Sequence, residues 1–337
     1  MTRQSKACSL SFIGLWWLLC LKGVAQPESS AAPASYEQLI ATLQSSQNES
    51  ATGLSEAYLG LGNSLQTLER HDDAVGAFGQ ALQLLREDKG LYALDQIPLL
   101  QARLISNQAL QAWQDVDADR HLAYRIALKN PAAGVDLHYQ TLRELGLWKL
   151  KAAEEALLQD PLEQTSEAAA LYREELGQAD IGILYKGKAL SLANLYLDLA
   201  ALEFLQARKK LALPLSAYVE GGQRQTNEMF CETLPTADGR GRQVCRNIQV
   251  PNMDYFMALS DRKYAATWEH LEAMQEAVLE AWEVLLPEVE TQNRDDALAL
   301  LSEVHRLTDA FNDFVAKNAR KRADTRIAAP TGSRINH

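Results

Sequence analysis

A chain of 337 residues is long enough for one extended helical array or two domains. Its formal net charge of −11 repels phosphate backbones, which excludes nucleic acid as the expected partner of the main body. Leu, Ala and Glu dominate while only ten prolines interrupt 337 residues, so the composition favours helix over strand throughout.

The first 25 residues follow a logic of their own. Arg3 and Lys6 precede an apolar run from Ala7 to Leu21, and Lys22-Gly23-Val24-Ala25 then offers small residues where a signal peptidase needs them. Residues 1–25 therefore read as a secretory signal with Gln26 as the mature start, and the protein as exported, periplasmic or secreted. An uncleaved anchor is the alternative, although fifteen apolar residues fall short of the roughly 20 that span a bilayer. Cys20 invites a lipoprotein reading, which Leu19 opposes, since a lipobox wants a small residue there. Cleavage would remove Arg3, Lys6 and Lys22 and take the net charge from −11 to −14. Residues 26–35, rich in Ser, Ala and Pro, read as a flexible linker. Asn48-Glu49-Ser50 is a glycosylation sequon, meaningful only in a eukaryotic secretory pathway.

Helical periodicity begins at Tyr36. From Tyr58 the spacing of large and small residues becomes specific: Tyr58, Leu61, Gly62 and Leu65 on one helix, then Ala74, Phe78 and Ala81 on the next. The small residues let two antiparallel helices approach, and the large ones fill the space between successive hairpins. The stretch Tyr58 to Ala81 resembles a tetratricopeptide repeat, with Asp72-Asp73 in the turn as candidate caps and Arg86 where the family usually has proline. A weaker second copy spans Ala102 to Arg125, with Ala118 placed 44 residues after Ala74 against roughly 34 for the family. Residues 139–159 and 163–176 form a further degenerate pair, and Ala200, Phe204 and Ala207 echo the second-helix pattern. The resemblance implies an all-α fold of antiparallel helix hairpins, an α-solenoid over residues 36–215.

Organisation changes after Pro214. Between 216 and 255 the helical period disappears, and Asp238-Gly239 between Thr233-Leu234 and Gln243-Val244 predicts a small hairpin. Cys231 and Cys245, the pair left after signal removal, are expected to form one disulfide at its base. Thirteen residues lie between them. Closing a loop of that size contributes about 3 kcal/mol on the chain-entropy account. Whether the loop is a recognition element or a staple stays open. Residues 256–319 predict a C-terminal helical hairpin. Tyr264, Trp268, Leu271, Met274, Val278, Trp282 and Leu285 form one apolar stripe, and Leu298, Leu301, Val304, Leu307, Phe311 and Phe314 the other. Residues 320–337 read as a disordered basic tail, either solvated or touching an anionic envelope surface.

Catalytic signatures are missing from the sequence. The six histidines show no metal-ligand spacing, and no nucleophile elbow, phosphate loop or dinucleotide fingerprint occurs. Glu154-Glu155 and Glu174-Glu175 are adjacent on helices, so each pair splays around its axis. The expectation is a non-enzymatic scaffold or adaptor with no cofactor and no metal, binding a protein or peptide. By the resemblance, the first-helix positions Leu59, Asn63 and Gln66, and their second-copy counterparts Arg103 and Asn107, line the binding groove, where side-chain amides can bond a peptide backbone. The alternatives are an enzyme or enzyme subunit on a helical fold, which requires mutually oriented acid and base groups in a pocket, or an envelope component held by its basic tail.

Overall fold

The computed structural model describes residues 33–45, 51–219, 221–235 and 241–327, with side chains described as far as 318. The expected signal sequence, the sequon, the Asp238-Gly239 turn and residues 328–337 lie outside the described residues. Among the described residues, nine α-helices lead to a β-ribbon: α1 (Pro33–Ser45), α2 (Ala51–Thr67), α3 (His71–Lys89), α4 (Gln96–Ala109), α5 (Trp113–Lys129), α6 (Val135–Glu155), α7 (Pro161–Leu176), the single turn α8 (Ile181–Leu184) and α9 (Ala189–Ala212). Strands β1 (Gln225–Pro235) and β2 (Gly241–Pro251) follow, then α10 (Met253–Leu285) and α11 (Arg294–Ile327). The fold is mostly helical, with one small two-stranded sheet in the 216–255 region where a hairpin is expected. Among the described residues, no helix is long and apolar enough to cross a membrane.

Consecutive helices from α1 to α7 pack on one another in chain order, and α7 then packs on α9. α2 carries only Thr52 and Thr67 as β-branched residues, so its backbone meets little rotamer resistance. Its partner α3 buries Ala74, Phe78 and Ala81 completely. Gly62 makes that pairing possible, because a Cβ there would lie 2.4 Å from the Phe78 ring. The same device recurs between α6 and α7, where a Cβ on Gly146 would lie 2.2 Å from the Tyr172 ring.

The turns between paired helices also recur. Glu69, Gln111 and Ala156 each take a left-handed φ, of 59°, 56° and 54°. Behind them Arg70, Ala112 and Leu157 donate backbone N–H bonds to Leu65, Asn107 and Ala152, each at 2.9 Å, the Schellman closure of a helix end. Glu69 and Gln111 stand 42 residues apart, which corrects the 44-residue offset expected from sequence. The expected aspartate cap is also absent. α3 starts at His71, and Asp72 and Asp73 sit in its first turn, where they face the positive end of the helix dipole.

The last helices share one core with the middle of the chain. α10 runs along most of α9 and meets α11 over a shorter stretch. Lys263 meets Leu213, His270 meets Glu203, and Phe204 stacks edge-on against Phe314, which sets α9 antiparallel to α10 and places α11 beside both. α10 begins at Met253, three residues before the expected start at residue 256. Asn252 caps it by accepting the Tyr255 N–H at 3.2 Å. Leu271, Met274, Val278 and Leu285 are core as expected, whereas Trp268 and Leu298 from the same predicted stripes are exposed. At the chain ends, helix extends further than expected: α1 starts at Pro33, inside the expected linker, and α11 reaches Ile327, inside the expected tail.

β1 and β2 pair antiparallel from Gln225↔Pro251 to Pro235↔Gly241, with Cys231 directly opposite Cys245 and bonded to it. The disulfide lies on the seventh of eleven rungs, nearer the tip than the expected base. Almost every residue of both strands is exposed.

Replacing Gly62 with Ala is expected to lower stability by about 1–3 kcal/mol through the clash with the buried Phe78 ring. Gly79 lies in α3 with open space around it, so Gly79→Ala should instead raise stability by about 0.5–1 kcal/mol. Denaturant midpoints of the two variants against the parent check the pair, and equal shifts would show that the seat is not tight.

Candidate functional site

The five residues expected to line a groove do not share one environment. Leu59 packs partly buried against the core that α1 to α5 share, and Asn63 is exposed. Gln66 spends its amide on the neighbouring helix, donating to the Ala102 carbonyl at 3.0 Å and the Ser106 hydroxyl at 2.9 Å. Asn107 is only 2% exposed and donates to Asp119 Oδ2 at 3.1 Å. Arg103 clasps the same carboxylate, its Nε donating to Oδ2 at 3.0 Å and its Nη2 to Oδ1. Counted back from the left-handed turns at Glu69 and Gln111, Leu65 and Asn107 stand at the same distance and are both buried, whereas Asn63 and Ile105 are both exposed. Arg103 and Asn107 therefore tie α4 to α5 through Asp119.

Acid and base groups that sequence left scattered come together in four clusters at helix interfaces. Lys149 of α6 is 2% exposed and bonds Asp117 of α5 at 2.9 Å, Glu167 of α7 at 2.9 Å and the Gln164 side chain at 2.6 Å. Trp148 Nε1 donates to Asp117 at 2.8 Å, and His121 Nε2 lies 3.3 Å from Glu167. Burial, and after it the Lys149 ammonium, holds the His121 imidazole below its ordinary value despite the neighbouring carboxylates. A second cluster sets Glu175 of α7 against His138 at 2.9 Å, Tyr185 at 3.0 Å and Gln178 at 2.7 Å. Burial works to raise that carboxyl, but the three donors outweigh it and hold Glu175 below its ordinary value.

Two further clusters line the route toward α9. Arg143 Nε donates to Asp198 at 2.8 Å, and the Tyr172 hydroxyl donates to the same carboxylate at 3.3 Å. Burial raises the Asp198 carboxyl, and the Arg143 guanidinium pulls against it. Fully buried Glu203 binds Arg173 and sits 2.7 Å from His270 Nδ1, while His270 Nε2 has no hydrogen-bond partner. Sequence reasoning missed these four clusters because each draws residues from two or three helices. Glu175 carried one signal, since its adjacent partner Glu174 had to point away from it. Among the described residues, no three metal-ligating side chains gather into a possible metal site.

None of these clusters opens into the larger surface cavity. That cavity, about 580 Å³, lies where Leu211 at the end of α9 meets Tyr264, Trp268 and Leu271 of α10 and Phe314 and Val315 of α11. Asp261, Thr267 and Asn318 supply the polar groups at its wall. Its volume falls in the range of small-ligand and side-chain pockets, and Trp268, 46% exposed, is its most accessible large apolar group. A smaller cavity of about 270 Å³, between α7, α9 and α10, includes Arg173, Tyr196, Glu276 and Glu280.

The ribbon is the other exposed feature. Met229 is 71% exposed, and Phe230, Leu234 and Val244 are exposed with it, while Arg246 lies over the Phe230 ring. Two strands with no layer packed on them are marginal in water, so the disulfide takes the place of a core. Compared with protein-family models and with curated proteins, the chain matches none.

Asn107→Ala is expected to lower the unfolding free energy by about 1–3 kcal/mol, because it removes a buried donor from Asp119. Asn63→Ala should change it by less than about 0.5 kcal/mol. Paired denaturation curves decide between a structural and a surface role for Asn107.

The depressed His121 pKa also sets a pH dependence. The folded state binds that proton less readily than the unfolded chain, so this contribution is full above pH roughly 6.5 and is lost as pH falls through the folded value. Denaturation at pH 5 to 8 should therefore show a shallower acid-side loss for His121→Gln than for the parent. A steeper loss would reverse the sign assigned to His121.

Proposed function

We propose that this chain is an exported helical scaffold, built of tetratricopeptide-like hairpins, that binds a protein or peptide partner. Supporting the repeat reading are the chain-order packing of α1 to α7 and the left-handed closures at Glu69, Gln111 and Ala156. The Cys231–Cys245 disulfide suits an oxidising, exported compartment.

The observation that carries the binding reading is the apolar cavity around Trp268. It offers aromatic and aliphatic walls to an inserted side chain and only a few polar groups to orient it. The acid and base groups elsewhere are engaged with one another across helix interfaces, which favours a structural role for them over general acid–base chemistry. This moves the expected binding surface from the first-helix positions near Asn63 to the junction of α9, α10 and α11.

Co-purification from the native compartment supplies the partner for the test. Trp268→Glu should then weaken binding by about tenfold or more, as loss of an aromatic anchor does. Leu298→Glu, an exposed apolar position outside both cavities, should leave binding intact. If Asn63→Ala and Leu59→Ala together abolish binding and Trp268→Glu does not, the cavity is not the binding surface.

A further inference from the structure

The ribbon has a charge pattern that its own pairing leaves unused. Glu228 and Glu232 stand four residues apart on β1, and Arg242 and Arg246 stand four apart on β2. Alternate residues of a strand share a face, and residues directly opposite in a ladder share it too. The pairs Glu228↔Ile248, Phe230↔Arg246, Glu232↔Val244 and Leu234↔Arg242 therefore set all four charges on the same face. Within the hairpin neither glutamate faces an arginine directly, and no ion pair forms between the strands. One long edge of the ribbon is acidic and the other basic. Neither strand has a second strand beside it among the described residues.

We propose that copies of this chain associate head to tail through the ribbon, the β1 edge of one copy adding antiparallel to the β2 edge of the next. The register that opposes Glu228 to Arg246 of the second copy also opposes Glu232 to Arg242, because both pairs of positions have the same spacing. Phe230 then lies opposite Val244 of the second copy, so an apolar contact falls between the two charge pairs. This register pairs residues of the same parity, as the hairpin's own register does, so the unpaired N–H and C=O groups of the two edges meet.

The alternatives between copies are worse. A two-fold arrangement of β1 on β1 gathers four carboxylates along one seam, and β2 on β2 gathers four guanidinium groups. An open ribbon with exposed Phe230, Leu234 and Val244 is the kind of edge that proteins otherwise cover or blunt. Pairing of unlike edges is heterologous, so it yields rings or linear arrays and not closed two-fold dimers. The inference stands apart from the scaffold reading, since it involves neither the cavity nor an outside partner.

The test is a charge exchange followed by sedimentation velocity over a concentration series. The parent protein should associate above its monomer mass, 37.4 kDa for the full 337-residue chain, and less so at high salt. Glu228→Lys with Glu232→Lys makes both edges basic, and Arg242→Glu with Arg246→Glu makes both acidic. Each double variant alone should associate about tenfold more weakly or stay monomeric. Mixed in equal amounts, the two should recover association, because every edge then meets an unlike edge. A parent that remains monomeric overturns the proposal. So does association that persists undiminished in both double variants, or a mixture that associates no better than its components. Because the mixture is read against its own components, a folding defect cannot imitate recovery.

Discussion

The approach of one helix to the next rests on side chains that are missing. Gly62 leaves room for the Phe78 ring, and Gly146 leaves room for Tyr172, both rings being wholly buried. The spacing of those helix pairs then fixes what can bridge them. Tyr172, seated on Gly146, has its hydroxyl within 3.3 Å of Asp198, and Arg143 one turn before that glycine reaches the same carboxylate. A wider gap would leave Asp198 buried without its partners, which costs far more than the glycine loses in helix propensity.

The polar interior follows from that geometry. Lys149, Asp119, Glu175 and Glu203 are all buried, and each meets partners from a neighbouring helix. Burying a charge is expensive, so such groups persist only where geometry supplies several bonds at once. They stabilise less than an apolar core of equal size would, but a slip of one helix along another leaves them unpaired. The ion clusters thus fix register between helices whose apolar faces of Ala and Leu would tolerate sliding. Among the described residues, His270 Nε2 and Arg120 Nε are buried at these helix interfaces without a partner.

The ribbon obeys a different rule from the helical body. Its base is held where Asn252 binds the Arg224 and Gln223 carbonyls at 3.0 Å, beside Gly221 and Gly222 in left-handed φ. Beyond that base the strands lean on each other and on one covalent bond. Eleven residues at roughly 3.3 Å each make an arm of about 36 Å. A body held by cores and ion clusters and an arm held by a disulfide can respond separately to reduction or to a partner.

Sequence alone determined the features set by local periodicity. The helices from Tyr36 onward, the small residues Gly62, Ala74 and Ala81 at a helix pairing, and the strand pairing around Cys231 and Cys245 all follow from spacing within a few dozen residues. Tertiary structure decided what depends on two or more helices at once. Amphipathic spacing cannot tell which part of an apolar stripe is covered, so Trp268 looked like core and instead lies in an open cavity. Nor could it place Asn107, because a shift of two residues turns a helix position through about 200° and exchanges the exposed face for the buried one. The ion clusters were illegible for the same reason: Asp117, Lys149 and Glu167 become neighbours only when α5, α6 and α7 are stacked.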